Sequence, residues 1–261
     1  SSAASDVYKR QENNTIKYIT SDIFDDGNFI HAFSTRISGN DKNFALMDKS
    51  NPQDIHIKEN RQKFCSIFNI DPKSLVIPEQ THSSNIKIIK DNIPQLQNTD
   101  GIIITTPGIT GMLFFADCTP VILYSKRHKT YALIHAGWKG TAASISAKAV
   151  RIMKSELNIN PSEIKAAIGA CISKCCFEIN EDIKEKLNNS LNKDCSQTIF
   201  YEKNKKIFAD LKAINKLQLE EEGIKDIDIM EYCSVCQNDL FFSYRKENST
   251  AKRHAILAQM K

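Results

Sequence analysis

The sequence predicts a single α+β domain in which helices flank one large mixed sheet. Short apolar runs crowd residues 75–135, and two later stretches, 141–157 and 209–223, carry apolar residues at helical period. No repeat, low-complexity tract or linker interrupts the 261 residues, so one core is the economical arrangement.

The elements follow in order. Residues 29–34 (FIHAFS) read as a strand, and a polar loop with Arg36, Gly39 and Asn43 comes next. From Asp54 to Asn69 the spacing of Ile57, Phe64, Ile67 and Phe68 suits a helix, with Asn51-Pro52 marking its start. Strands are expected at 75–77, 85–89, 101–105, 111–116, 120–124 and 131–135. They are rich in Ile, Val, Phe and Tyr, and residues 101–135 read as a meander buried on both faces. Residues 141–157 form the clearest amphipathic helix, with a stripe of Ile145, Ala149, Ile152, Met153 and Leu157. A strand at 165–169, a helix at about 181–190 and a strand near 198–201 follow. The helix over 209–223 has Gly223 placed as its stop. Residues 241–245 (FFSYR) look like a final strand.

Composition narrows the function classes. The formal charge of +4 is small for this length and the basic residues are scattered, which argues against a nucleic-acid binder. No apolar stretch is long enough to span a membrane, and the start of the chain lacks the apolar core of a signal peptide. The first eleven residues resemble a translated adaptor, so residues 1–14 are expected to be disordered and residues 15–261 to form one catalytic domain. Eight cysteines without secretory features suggest reduced thiols in a cytoplasmic protein.

The chemistry concentrates between Gln80 and Thr141. His82 lies in Q-T-H, Cys118 in D-C-T-P-V and His135 in H-A-G-W-K-G, separated by 36 and 17 residues. Two imidazoles and a thiolate, each beside an expected strand, are the ligand set of a catalytic zinc centre with an open position. A structural zinc site normally uses four ligands with a close sequence pair, whereas these three must meet across strand ends. Lone buried Cys and His are more often simply packed, so the neighbours matter. Asp117 abuts the thiolate, as a turn carboxylate or as a catalytic one. Gly137 and Gly140 flank Trp138 and let backbone approach a ligand. Arg36, Lys139 and Arg245 read as solvated charges, or as loop cations holding an oxyanion such as phosphate. Cys233-x-x-Cys236 invites a redox or zinc reading, but no second pair sits at zinc-ribbon spacing. With Cys171, Cys175 and Cys176 these residues are read as buried structural thiols.

These residues resemble the family variously described as multicopper polyphenol oxidase (laccase)-domain proteins, peptidoglycan-editing factors and zinc-containing purine nucleoside phosphorylases. The likeness runs from H-A-F-S-T-R at 31–36 to about Arg253. It rests above all on A-D-C-T-P-V at 116–121 and H-A-G-W-K-G at 135–140. E-N-R at 59–61, Q-T-H-S at 80–83, D-G at 100–101, C-S-V-C at 233–236 and F-F-S-Y-R add to it. The resemblance implies a monomeric α/β sandwich with zinc on His82, Cys118 and His135. It implies phosphorolysis of purine nucleosides, with adenosine deamination and methylthioadenosine cleavage in some members. The chain departs from the family pattern at Lys139, where Arg is usual, and at Ala251, where Gly is usual.

The expected reaction is attack of phosphate on the anomeric carbon of adenosine, inosine or guanosine, releasing base and ribose 1-phosphate. Arg36 is assigned to phosphate and, with Asp117, to catalysis; Lys139 and Arg245 are assigned to substrate binding. Asp117 stands as a general acid or base, or as an orienter of a metal ligand. Three rivals remain. A copper oxidoreductase could use the same donors, but laccase chemistry needs several coppers and this chain has six histidines. A Cys–His hydrolase would use Cys118 as nucleophile. A non-catalytic protein of cell-wall quality control would need none of this chemistry.

Overall fold

The computed structural model describes residues 8–13, 15–192 and 195–261. Strands β1 (Tyr8–Asn13), β2 (Ile16–Ser21), β3 (Phe29–Ser38) and β4 (Met47–Asp48) lead into helix α1 (Ile55–Ser66). Six strands follow: β5 (Leu75–Val76), β6 (Ile86–Ile89), β7 (Gly101–Ile104), β8 (Thr110–Phe115), β9 (Thr119–Ser125) and β10 (Thr130–Ala136). Helices α2 (Trp138–Ala142) and α3 (Ile145–Leu157) precede β11 (Lys165–Ile168) and β12 (Glu178–Ile179). Then come α4 (Glu181–Asn188), α5 (Ser196–Ile199), β13 (Phe200–Lys203) and β14 (Lys206–Ala209). The chain closes with α6 (Leu211–Glu221), β15 (Asp226–Ile229) and β16 (Lys252–Met260).

Two large sheets, rather than one, make the sandwich. The first has seven strands in the order β1-β2-β3-β16-β8-β5, with β4 also on β16; the second has six in the order β15-β11-β9-β10-β7-β6. Both are mixed, since β5–β8, β6–β7 and β11–β15 run parallel among antiparallel neighbours. Alternation along each strand explains the layering. Leu113, Phe115, Ile256 and Ala258 of the first sheet meet Ile102, Ile104, Tyr131 and Leu133 of the second in a shared core. The intervening residues face outward. Met112, Phe114, Ala255 and Leu257 pack under Phe64 and Cys65 of α1. Ile103, Ala132 and Ile134 pack under Ala149, Val150 and Met153 of α3. The order across the molecule is therefore helix, sheet, sheet, helices.

This arrangement corrects the expected meander. The strands of 101–135 are buried on both faces, but β7 pairs with β10, while β8 belongs to the other sheet beside β16. Gly111 shows how tightly the sheets meet there: a Cβ would come within 2.9 Å of Leu133 Cδ1 and 3.0 Å of Ile102 Cδ1. The single helix expected over 141–157 is broken into α2 and α3 by Ser144, whose φ is 52°. Residues 241–245 form an irregular segment that enters a turn at Tyr244, with Phe241 and Phe242 fully buried; β16, a central strand of the first sheet, was not anticipated.

Other expectations agree with the structure. Asp54 caps α1 by accepting from the His56 N–H, and Gly223 (φ 96°) ends α6 with Ile224 N–H donating to Leu219 O. Within the segment 1–14 expected to be disordered, Tyr8–Asn13 pair antiparallel with β2 in register Tyr8↔Ser21 to Asn13↔Ile16. The hairpin satisfies backbone groups that β2 would otherwise present as an open edge. Residues 1–7 and 14 lie outside the described residues. No described helix is long and apolar enough to cross a membrane.

Candidate metal centre

His82, Cys118 and His135 converge. Their ligand atoms all lie within 4.8 Å of one another, although they come from three different segments. The sheets bring this about. His135 ends β10 and sits opposite Pro120 across the β9–β10 ladder, which draws the preceding turn with Cys118 alongside it. That turn carries the chain from β8 in the first sheet to β9 in the second. His82 arrives on the loop between β5 and β6, and its ring lies 5.0 Å from that of His135. Gly137 is required here, because a Cβ would sit 2.9 Å from Cys118 Sγ and 3.1 Å from His82 Cδ2.

Asp100 organises the group and was not anticipated as a site residue. It is fully buried at the start of β7. Its Oδ1 lies 2.7 Å from His135 Nδ1 and accepts the His82 N–H at 3.0 Å. Its Oδ2 accepts Ser83 N–H at 2.7 Å, Ser83 Oγ–H at 2.6 Å and Thr81 N–H at 3.2 Å. The carboxylate thus holds the His82 loop and places the Nδ1 proton of His135 toward itself, leaving Nε2 for a cation. Burial opposes its ionisation, but the bonds from His135 and Ser83 outweigh that and keep the carboxyl below its usual range. Cys118 follows the same pattern: burial raises its pKa, yet His135 and His82 bring it down to about 6. Burial lowers that of His135, and the Cys118 sulfur with Asp100 raises it to about 9. A thiolate against imidazole nitrogens, with ligand atoms already gathered, suits a cation that replaces the shared protons.

The group opens on a cavity of about 470 Å³. Of the residues expected to serve the site, Asp117, Lys139 and Arg245 line this cavity with the three metal-ligand candidates. Asp117 has φ 86° and is pinned by two donors, Ser234 Oγ to Oδ1 at 2.6 Å and Arg245 N to Oδ2 at 2.7 Å. Arg36 is not among the lining residues. Its guanidinium is buried and spent on Lys42 O, Asn238 O and Glu247, and stacks 4.3 Å from the Phe242 ring. It ties β3 to the loop after β15 and stands apart from the residues that line the cavity. Two unexpected cations line the cavity instead. Lys49 follows β4, and Arg253 lies one strand away on β16, where its register partner is Met47. Burial, and then the nearby Arg253, lower the Lys49 pKa; burial likewise lowers that of Arg253. Lys49 forms no ion pair with a carboxylate among the described residues. Trp138, Phe114, Phe177 and Tyr244 add aromatic surface.

The remaining cysteines depart in part from the expectation of buried thiols. Cys171 and Cys233 are buried, but Cys176 is half-buried and Cys175 and Cys236 are exposed.

Fold and site together define a two-sheet α/β protein in which a Cys–His₂ group that could hold a metal ion borders a cavity lined by cations. A family model described as multi-copper polyphenol oxidoreductase laccase matches residues 30–261, and the chain belongs to that family. A purine nucleoside phosphorylase of Staphylococcus epidermidis is 34% identical over 209 residues, covering 76% of this chain and 77% of that one. Another, of Bacteroides thetaiotaomicron, is 29% identical over 234 residues, covering 84% and 87%. Among solved structures, the hypothetical protein YfiH of Bacillus licheniformis superposes with a TM-score of 0.87 at 25% identity, covering 97% of this chain and 99% of that one. The structure of YlmD from Geobacillus stearothermophilus has the same fold, with a TM-score of 0.88 at 23% identity over 98% and 99%.

Proposed function

We propose that the chain is a zinc-dependent purine nucleoside phosphorylase acting as a monomer, with residues 15–261 as its catalytic domain. The observation that carries this reading is the Cys–His₂ group at the base of a cavity of about 470 Å³ lined by Lys49, Lys139, Arg245 and Arg253. The volume suits one nucleoside with phosphate, and the relatives' names point to the same chemistry. His82, Cys118 and His135 would hold the ion, which supplies Lewis-acid charge stabilisation at the open position.

The chain's own residues perform the rest. Lys49 and Arg253 hold the phosphate dianion, which relieves their mutual repulsion. A phosphate oxygen attacks C1′ as the C1′–N9 bond breaks. The bonding pair leaves on the purine, which takes the proton that the hydrogen phosphate dianion gives up on becoming the ester, and base and ribose 1-phosphate dianion result. Trp138 and Phe177 offer faces on which a purine can stack. Asp117 already accepts from Ser234 and the Arg245 backbone, and so serves as a positioning residue for the turn that presents Cys118. Adenosine, inosine and guanosine are the expected substrates, with methylthioadenosine cleavage and adenosine deamination as side activities. The eight unpaired cysteines suit a reducing, cytoplasmic setting.

Copper chemistry of the laccase kind is the weaker reading, because among the described residues only two histidines join a metal-binding group. Incubation of the protein with adenosine or inosine, with and without phosphate, tests the proposal by separation of the products. Phosphate-dependent release of free base, abolished in Cys118→Ala, is expected. Stoichiometric copper with phenol oxidation, or base release independent of phosphate, would overturn it.

A further inference from the structure

We propose that Cys175, Cys176, Cys233 and Cys236 form a second metal centre, a tetrathiolate site for one structural zinc ion that clasps two loops of the catalytic pocket. The four sulfurs come from the loop between β11 and β12 and from the loop after β15, and all lie within 4.8 Å of one another. Cys236 Sγ is 3.6 Å from Cys175 Sγ and 3.5 Å from Cys176 Sγ. A tetrahedral ion with Zn–S bonds of about 2.3 Å sets its sulfurs about 3.8 Å apart. A disulfide needs about 2.05 Å, so the observed spacing matches shared coordination rather than a bridge. The span is also too small for a cluster of several irons, whose thiolates are spread around a larger body.

Packed thiols could stand at similar distances, but two further observations separate the cases. Cys175 and Cys236 are exposed, where a thiol gains nothing from burial. Cys233 Sγ accepts the Ser173 backbone N–H at 3.4 Å. The donor set is all sulfur, which selects zinc or iron over harder cations.

The position gives the ion a task. Next to these cysteines, Ile172 N–H donates to Asp117 O at 2.9 Å, Ser234 Oγ–H to the Asp117 carboxylate at 2.6 Å, and Ser234 N–H to Cys171 O at 2.9 Å. Arg245 Nη1 reaches Cys176 O at 3.5 Å. The centre would fasten both loops to each other and to the turn that carries Cys118.

Metal content of protein purified without chelators tests this. Two zinc ions per chain are expected in the wild type and one in Cys175→Ser/Cys236→Ser. Cobalt(II) substitution adds a readout that activity does not supply. The thiolate-to-cobalt charge-transfer band should have the intensity of a four-sulfur site, persist in Cys118→Ala and collapse in the double variant. Persistence in Cys118→Ala separates this centre from the Cys–His₂ group, so either can fail alone. Should the double variant not fold, Cys236→His keeps a ligand, and its cobalt spectrum should shift to a three-sulfur pattern. One metal per chain unaffected by the double substitution, a Cys175–Cys236 disulfide in peptide maps, or iron in place of zinc would overturn the proposal.

Discussion

Asp100→Asn isolates the buried carboxylate that organises the metal-ligand candidates while preserving shape. In the wild type, Oδ1 serves His135 Nδ1 and the His82 N–H, and Oδ2 serves Thr81 N–H, Ser83 N–H and Ser83 Oγ–H. An asparagine has one oxygen to offer. Placed on the Oδ1 side, that oxygen keeps His135 but turns the NH₂ on two backbone N–H groups, each costing about 1–3 kcal/mol when left unsatisfied, or about 2–6 kcal/mol in all. Placed on the Oδ2 side, it keeps those donors but drives the NH₂ at His135 Nδ1. The proton then moves to Nε2 and blocks ligation. Either orientation damages the site.

Zinc affinity should therefore fall at least tenfold, and about 100-fold at the upper end of what a ligand-orienting partner is worth. Competition with a chromophoric chelator measures the affinity, and thermal unfolding with excess EDTA measures the fold separately. The two orientations also differ in outcome. The first leaves two backbone N–H groups unsatisfied and the second leaves one, that of His82, so the first lowers the unfolding temperature more without metal, whereas the second loses zinc more completely. An Asp100→Asn protein that binds zinc as tightly as wild type would refute the role assigned to this carboxylate.

Other substitutions follow from single contacts. Gly137→Ala drives a methyl to within 2.9 Å of Cys118 Sγ; zinc affinity should drop more than tenfold while circular dichroism is unchanged. Lys49→Met should raise the KM for phosphate by roughly tenfold or more, the worth of a hydrogen bond to a charged group. Arg36→Met should instead leave that KM alone and cost about 3 kcal/mol in denaturant unfolding, because Glu247 loses its buried partner. Burial, together with Arg253 and Arg36, holds His254 down at about 3, and burial holds His31 at about 4. Both are below the value of about 6.5 in an unfolded chain, so below that pH the unfolded state binds more protons and acid destabilises the fold. Each should contribute a slope of about 1.4 kcal/mol per pH unit between pH 6 and 4.5, and urea titrations of His254→Leu should show one such contribution removed.

Strand positions were legible because β7, β8, β9 and β10 bury every residue and so appear as unbroken apolar runs. The same property hid their partners. A strand with no polar face gives no sign of which sheet it joins, so sequence adjacency alone suggests a meander. Phe241 and Phe242 look like strand because they are aromatic and apolar; they are core residues supplied by an irregular segment. The run Lys252–Met260 gives a weak strand signal because it opens on three basic or polar residues. Its Arg253 and His254 are buried where the strand passes the cavity and Phe241.

The three candidate ligands are legible from residue type together with their neighbours, since Cys118 and His135 stand in A-D-C-T-P-V and H-A-G-W-K-G. Their supports could not. Asp100 stands 35 residues before His135, and only the antiparallel pairing of β7 with β10 places it there. Backbone conformation carries the same lesson. His82 and Asp117 both have positive φ, 63° and 86°, which costs side-chain-bearing residues about 1–3 kcal/mol each. Each strained position is answered by a carboxylate: Asp100 gathers the N–H groups around His82, and Asp117 clamps its own turn to Ser234 and Arg245. Such strain persists only where surrounding bonds over-determine it. The two carboxylates are therefore better understood as holding the backbone that aims His82 and Cys118 than as proton carriers, and a mutation at either should show first in metal affinity rather than in the pH profile of the reaction.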